Sequence, residues 1–221
     1  MNKHTKTQAG NALIFVLLGI ALFTSLAFMI SRGMRSENTS NMSNRQADLA
    51  ATDLLTYGQQ IERAINRMRR RNISENDISF DTPKLTGYDH TPAQPDENKV
   101  FMPSGGAMSF RLPTDVGTIG FIGDLIVTGM GNDANAELLM IGENIDAKLC
   151  EFINKKVGLT GIPTTTNLGT TTGPFTGSYT TRGGKNTLGN TTIALANQQA
   201  GCFENVAGSG NYIFYFVLLE R

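Results

Sequence analysis

Few residues in this 221-residue sequence have the types that catalysis requires. There are two histidines, His4 near the start and His90 in a proline-containing segment. A Ser-His-Asp or Cys-His triad would have to use His90, and the cysteine considered for it is Cys150. The glycines of residues 117–123 are followed by no Gly-Lys-Ser/Thr, so they form no phosphate loop. We therefore predict that the protein is not an enzyme, and we rank a hydrolase that uses His90 and Cys150 last among the functions considered.

One short segment offers oxygen ligands for a metal ion. The sequence GMGNDANAE, residues 129–137, contains Asp133, Asn135 and Glu137 at alternating positions. Calcium accepts such ligands, although the glycine and the distal glutamate of an EF-hand loop are missing. The alternative is an Asn/Asp-rich turn between two strands. Calcium at these three residues is the one cofactor that the sequence suggests.

The composition excludes several classes of protein. Lys plus Arg and Asp plus Glu number 19 each, and the sequence pI of about 6.7 suggests no nucleic-acid partner. Two cysteines are too few for a disulfide-dense scaffold or a four-thiolate zinc site. The charges are unevenly placed, because residues 32–71 contain eight basic and four acidic side chains whereas residues 72–221 contain nine and fifteen. The sequence thus predicts a basic stem and an acidic head.

The N-terminal part contains a long apolar segment. Ala12 to Ile30 includes no charge and no proline, and a helix of this length would be roughly 28 Å long, close to the hydrocarbon thickness of a bilayer. It predicts a transmembrane helix over residues 11–31 in contact with inner membrane lipids. The protein would then be a single-pass inner membrane protein with a periplasmic or extracellular head. The alternative is a signal peptide cleaved near Ser25 and Ala27.

The pattern of the next forty residues predicts an amphipathic stem helix over residues 32–73. Apolar residues recur every three or four positions from Ala47 to Met68, and polar residues fill the other face. The segment ends in a run of cations at Arg67, Arg69, Arg70 and Arg71. This run is either a solvated helix end, where cations are favourable, or a docking patch for anionic lipid or an acidic partner.

The rest of the chain reads as an irregular connector, residues 74–107, and a β-rich head, residues 108–221. A helix with Asn144 as its N-cap is predicted over residues 144–157, and the final strand is expected to be central because it alternates only weakly. The fold class is α+β, with the long membrane-spanning helix packed on a small antiparallel sheet. The predicted strands are Met108–Leu112, Ile119–Thr128, Glu137–Ile141 and Asn211–Glu220.

Cys150 and Cys202 lie on either side of a Gly/Thr/Asn-rich segment, residues 158–192. In an oxidising, exported compartment they would form one disulfide, whereas in the cytosol they would be two buried thiols. The segment between them buries little apolar area, so it is expected to be an exposed loop or short surface strands.

The segment QAGNALIFVLLGIALFTSLAF, residues 8–28, together with this layout, resembles the type IV pilins and type II secretion pseudopilins. The resemblance implies a leader, residues 1–10, that a prepilin peptidase removes between Gly10 and Asn11. The fifth position after the cut is Phe15, where the family usually has a glutamate that pairs with a neighbouring subunit. Minor subunits at the filament tip also lack this glutamate, so the resemblance is to a minor, tip-like subunit.

The function implied by this resemblance is that of a structural subunit of a pilus or secretion pseudopilus. The subunit would wait in the inner membrane on its helix, and its head would mediate contacts with other pilin-like subunits. The alternative is a membrane-anchored periplasmic adhesin or binding protein that never polymerises and that uses residues 158–192 as its contact surface.

Overall fold

The computed structural model describes residues 20, 43–132, 134–165, 173–180, 187–189 and 193–221. The chain divides into two compact units, Met1–Gln46 and Ala47–Arg221. Of the first unit the structure describes Ile20 and residues 43–46, all of them helical. The fold described below is that of the second unit. From here on, "the head" means this whole unit, which includes the predicted connector as well as residues 108–221.

The first helix, α1, occupies residues 43–70 and is amphipathic. Its apolar residues are spaced three or four apart, so they form one stripe, and the opposite face is exposed. The helix ends where Asn72 adopts a positive φ of 64°. The buried stripe comprises Ala47, Ala50, Ala51, Leu54, Tyr57, Ile61, Ala64, Ile65 and Met68.

The head contains a six-stranded mixed sheet with the strand order β3-β5-β6-β2-β1-β4. Its centre, β1-β2-β6-β5, is antiparallel, whereas the two-residue edge strands β3 and β4 pair in parallel with β5 and β1. The strands are β1 Val116–Val127, β2 Glu137–Ile145, β3 Thr164–Thr165, β4 Thr187–Leu188, β5 Ala200–Asn205 and β6 Tyr212–Leu219. The central strand β6 is buried on both faces, as its weak alternation predicts.

Two hydrophobic cores cover the two faces of the sheet. The larger one joins the α1 stripe to inward residues of the strands, including Phe121, Met140 and Phe216. The smaller one, on the other face, packs Leu188 and Leu195 against the remaining strand residues. Burial on both faces explains why the sequence of β6, YIFYFVLL, is almost continuously apolar.

The second helix, α2, runs over Ala147–Lys156 between β2 and the Gly/Thr/Asn-rich segment. Its N-cap is Asp146, whose side chain accepts a hydrogen bond from the backbone N–H of Lys148. The predicted N-cap, Asn144, instead lies within β2 with a positive φ of 53°. The helix stops before Gly158, whose φ of 83° suits a glycine.

The connector is irregular in backbone but well packed. It contains two 3-10 turns, Glu75–Asp77 and Asp96–Asn98. Phe80 stacks on Phe121 of β1 with ring centroids 4.0 Å apart. Tyr88 packs in the same core, and its hydroxyl oxygen accepts a hydrogen bond from the Phe121 N–H. Large buried aromatic rings therefore fix the connector to the sheet.

The predicted fold class is wrong. It placed a long membrane-spanning helix on a small antiparallel sheet, whereas the described part of the chain has helices at residues 43–70 and Ala147–Lys156 and a mixed six-stranded sheet. The sheet is mixed because the short strands β3 and β4, from the Gly/Thr/Asn-rich segment, add in parallel to its two edges. Helix α1 carries arginines and glutamines along its exposed face, which suits water and not lipid.

The predicted location, single-pass in the inner membrane with a periplasmic or extracellular head, is contradicted as well. Within the described ranges, no helix combines the length and the apolar character that crossing a membrane requires. Residues 11–31, on which the transmembrane and membrane-lipid predictions were based, lie outside the described residues except for Ile20.

Helix α1 approaches the sheet closely at Gly58. A Cβ atom there would lie 2.7 Å from two ring atoms of Phe216 and 3.2 Å from Cε of Met140. Alanine normally stabilises a helix interior relative to glycine by up to about 1 kcal/mol. We expect Gly58→Ala to lower the free energy of unfolding by about 1–3 kcal/mol, because the ring must move within a packed core.

Urea unfolding of the Gly58→Ala chain measures this effect, and Gln60→Ala on the exposed face of α1 is the matched control. The control should change stability by less than about 0.5 kcal/mol. A Gly58→Ala chain more stable than the wild type would show that α1 does not pack this closely on β6.

Candidate interaction surface

The predicted arginine patch lies at the C-terminal end of α1, and two of its members hold the connector. Arg67 donates to the carbonyl oxygen of Gly106 at 3.0 Å. Arg71 donates to the carbonyl oxygens of Ser104 and Gly105 at 2.8 and 2.6 Å. The carbonyl groups of residues 104–106 lie in an irregular loop, and these guanidinium groups supply their hydrogen-bond donors. Arg67 and Arg71 therefore stabilise the loop.

A third arginine of the patch joins a charge cluster with the C-terminal residue. Arg69 lies 3.4 Å from one carboxylate oxygen of Glu75, and Arg221 lies 2.8 Å from the other. The Arg221 guanidinium also stacks on the ring of Tyr179, 3.8 Å from its centroid. Because the Arg69 and Glu75 side chains are partly exposed, this ion pair contributes little stability, and its main effect is to fix the positions of the charges.

The fourth arginine, Arg70, remains available. Its side chain is exposed and makes no hydrogen bond or ion pair with the residues that the structure describes. It lines an open groove of about 520 Å³ together with Asn66, Arg69, Ile73 and Glu75, and we call this the basic groove. Exposed guanidinium groups of this kind bind carboxylates through paired hydrogen bonds.

An acidic surface is formed by the connector. Lys99 lies 3.0 Å from Asp81 and 3.3 Å from Asp96, and Glu97 follows in the same 3-10 turn. These contacts raise the pKa of Lys99, and the hydrogen bond that its ammonium group donates to Asp81 has the largest influence. One lysine cannot neutralise three carboxylates, so the group Asp81, Asp96 and Glu97, called the acidic corner, keeps a negative charge.

The Cys150–Cys202 disulfide is present and joins α2 to β5. Beside it, the fully buried Asn154 donates to the carbonyl oxygens of Cys202 and Gly161 at 2.8 and 2.9 Å. Its own oxygen accepts from the Cys202 N–H at 2.8 Å. The amide thus pairs both backbone groups of Cys202 as a neighbouring strand would.

Sequence reasoning missed Asn154, although a signal was present. Asn154 lies one turn after Cys150 on the buried side of α2, where the other buried residues, Leu149 and Ile153, are apolar. A polar residue on such a stripe needs hydrogen-bond partners once it is buried. The carboxylates of Glu75, Asp81 and Asp96 carry no comparable signal, because their positions depend on how the irregular connector folds.

The structure describes two of the three residues predicted to bind calcium, Asn135 and Glu137, and it gives them different roles. Glu137 is fully buried and accepts a hydrogen bond from the Val127 N–H at 2.9 Å, so its carboxylate serves the end of β1. Asn135 is exposed, and Asp133 lies outside the described residues. The described residues contain no group of three His, Cys, Asp or Glu side chains that could hold a metal ion.

The other predicted residues fall into two groups. Gly10, Asn11 and Phe15, which the pilin resemblance selects, lie outside the described residues. Cys150, the nucleophile of the hydrolase alternative, is bonded to Cys202 and has no free thiol. Much of residues 158–192, the contact surface of the adhesin alternative, also lies outside the described residues.

His90 is packed inside the head. It is 6% exposed, its ring meets Phe175 edge to face at 6.0 Å, and its Nε2 has no hydrogen-bond partner among the described residues. Burial lowers the pKa of His90 below its usual value near 6.5, and the nearby carboxylates of Asp77 and Asp81 offset this only in part. The folded head therefore favours the neutral imidazole.

This burial predicts a pH dependence of stability. Below about pH 6.5 the unfolded chain binds a proton at His90 that the folded chain resists, so the free energy of unfolding should fall as the pH drops. We expect the free energy of unfolding, measured with urea, to fall less between pH 7.5 and pH 5.5 for His90→Gln than for the wild type. Equal losses for His90→Gln and the wild type would contradict the prediction.

Comparison with known proteins finds no match: no protein-family model, no curated protein and no solved structure is similar to this chain. What the protein does must therefore be argued from its own residues.

Proposed function

We propose that this chain is a structural subunit of a pilus or secretion pseudopilus, and that its head makes the contacts with neighbouring pilin-like subunits. The observation that carries the proposal is the packing of α1, one face of which is embedded in the sheet while the other stays exposed. The resemblance of residues 8–28 to the pilin-like proteins supports the proposal independently of the fold.

The chemistry of the head supports a role in contacts. The basic groove and the acidic corner are open and charged, and neither combines a nucleophile with a base. Their exposed charges can set the register and orientation of a protein partner. Such surfaces are what a subunit needs in order to recognise its neighbours.

Fractionation of cells that produce the full chain tests the proposal. We expect the chain to sediment with filaments that contain other pilin-like subunits, and deletion of its gene should reduce the number or length of the filaments. Normal filaments in the deletion strain, together with a chain that never enters the filament fraction, would overturn the proposal.

A further inference from the structure

The basic groove and the acidic corner are two surfaces of one chain that carry opposite charges. Within the described part of the chain, the side chains of Arg70 in the groove and Glu97 in the corner make no hydrogen bond or ion pair. Each surface is therefore ready to bind a partner of the opposite sign.

The charge pattern favours a protein partner for the groove. Glu75 lies in the groove between Arg69 and Arg221, so the surface is not uniformly positive as a lipid-binding patch would be. The acidic corner has the complementary arrangement, because Lys99 lies between two carboxylates. Mixed patterns of this kind select one partner and one orientation.

We propose that the basic groove receives the acidic corner of a second copy of this chain, with the Arg70 guanidinium paired to the Glu97 carboxylate. The inference rests on the proposed function and names the partner of that surface. The pairing joins Arg70 of one copy to Glu97 of the other. Whether such contacts close into a dimer or a ring, or repeat into an open array, is set by the rotation that relates the copies. Ile73 supplies an apolar contact beside the ion pair.

Charge exchange tests the pairing in the full chain. Arg70→Glu and Glu97→Arg should each weaken self-association roughly tenfold, measured by sedimentation, because each replaces an attraction by a repulsion. The chain that carries both changes should recover self-association, since every contact again joins opposite charges. The matched control is Arg70→Glu combined with Glu151→Arg, which changes an exposed carboxylate of α2 outside the corner and should not recover it.

Cysteine cross-linking gives a second readout that does not depend on affinity. Both natural cysteines are held in the disulfide, so an introduced cysteine is the one free thiol of its chain. A chain with Arg70→Cys should cross-link through a short thiol reagent to a differently tagged chain with Glu97→Cys, and not to one with Glu151→Cys. Urea unfolding of each variant confirms that it is folded.

The outcomes separate this inference from the proposed function. Suppose that the wild-type chain self-associates. The pairing is then overturned if Arg70→Glu associates equally well, or if the chain with both exchanges does not recover association, and in either case the filament proposal still stands. A wild-type chain that never self-associates would overturn the pairing. The filament proposal would still stand if this chain entered filaments built from other subunits.

Discussion

Removal of the Cys150–Cys202 disulfide is expected to lower the free energy of unfolding by about 4 kcal/mol, because the unfolded chain regains the entropy of a loop spanning a sequence separation of 52. The bond also ties α2 to β5, so proteolysis should increase within residues 158–192. Urea unfolding and limited proteolysis of the double variant Cys150→Ser, Cys202→Ser measure both effects.

A reducing agent should reproduce the result in the wild type and should change nothing further in the double serine variant, which serves as the control. An unchanged urea midpoint after full reduction would show that the bond does not stabilise the head. Unchanged cleavage in residues 158–192 would show that it does not restrain the segment.

Replacement of Asn154 by alanine is expected to lower the free energy of unfolding by about 3 kcal/mol or more. It leaves the N–H and C=O of Cys202 without their partner in the buried region between α2 and β5, and it also removes the partly buried hydrogen bond to the C=O of Gly161. Asn154→Leu fills a similar volume without the hydrogen bonds, and we expect it to be about as destabilising. Urea unfolding of both variants provides the measurement.

Glu151→Ala on the exposed face of α2 is the matched control for Asn154 and should change stability by less than about 0.5 kcal/mol. A leucine variant as stable as the wild type would contradict the role given to these hydrogen bonds. Because Asn154 contacts Cys202 directly, its effect and that of the disulfide should not be additive.

The elements that could be predicted from the sequence are those with strong periodicity. The α1 stripe, β6 and the α2 helix follow their apolar patterns, since burial of an apolar face or strand decides their structure. Strand β5, Ala200–Asn205, was missed because its glycine and asparagine are poor strand formers. It is held by β6 and by Asn154, which are distant in sequence.

The predicted strand Met108–Leu112 does not form, and the side chains of α1 explain why. The N–H of Arg111 donates to the hydroxyl of Tyr57 at 3.2 Å, and its guanidinium makes a two-point contact with Asp53 at 2.6 and 2.7 Å. The segment therefore forms its hydrogen bonds with side chains of α1, whereas a strand would form them with the backbone of a neighbouring strand. Local propensity cannot reveal a partner more than fifty residues away.

The candidate surface could be predicted only in part. The arginine run at the end of α1 marks its position, but the sequence does not distinguish Arg67 and Arg71, which hold the loop at residues 104–106, from Arg70, which remains exposed. The acidic corner depends on the path of the connector, which Phe80 and Tyr88 fix through packing. The acidic corner therefore has no sequence pattern of its own.

The most direct test of the account is mass spectrometry of the N-terminus of the chain recovered from the filament fraction. Processing as a pilin-like subunit predicts a chain that begins at Asn11, cut after Gly10. A filament-fraction chain that keeps Met1, or one that begins near Phe28 as after signal-peptide cleavage, would contradict the proposal.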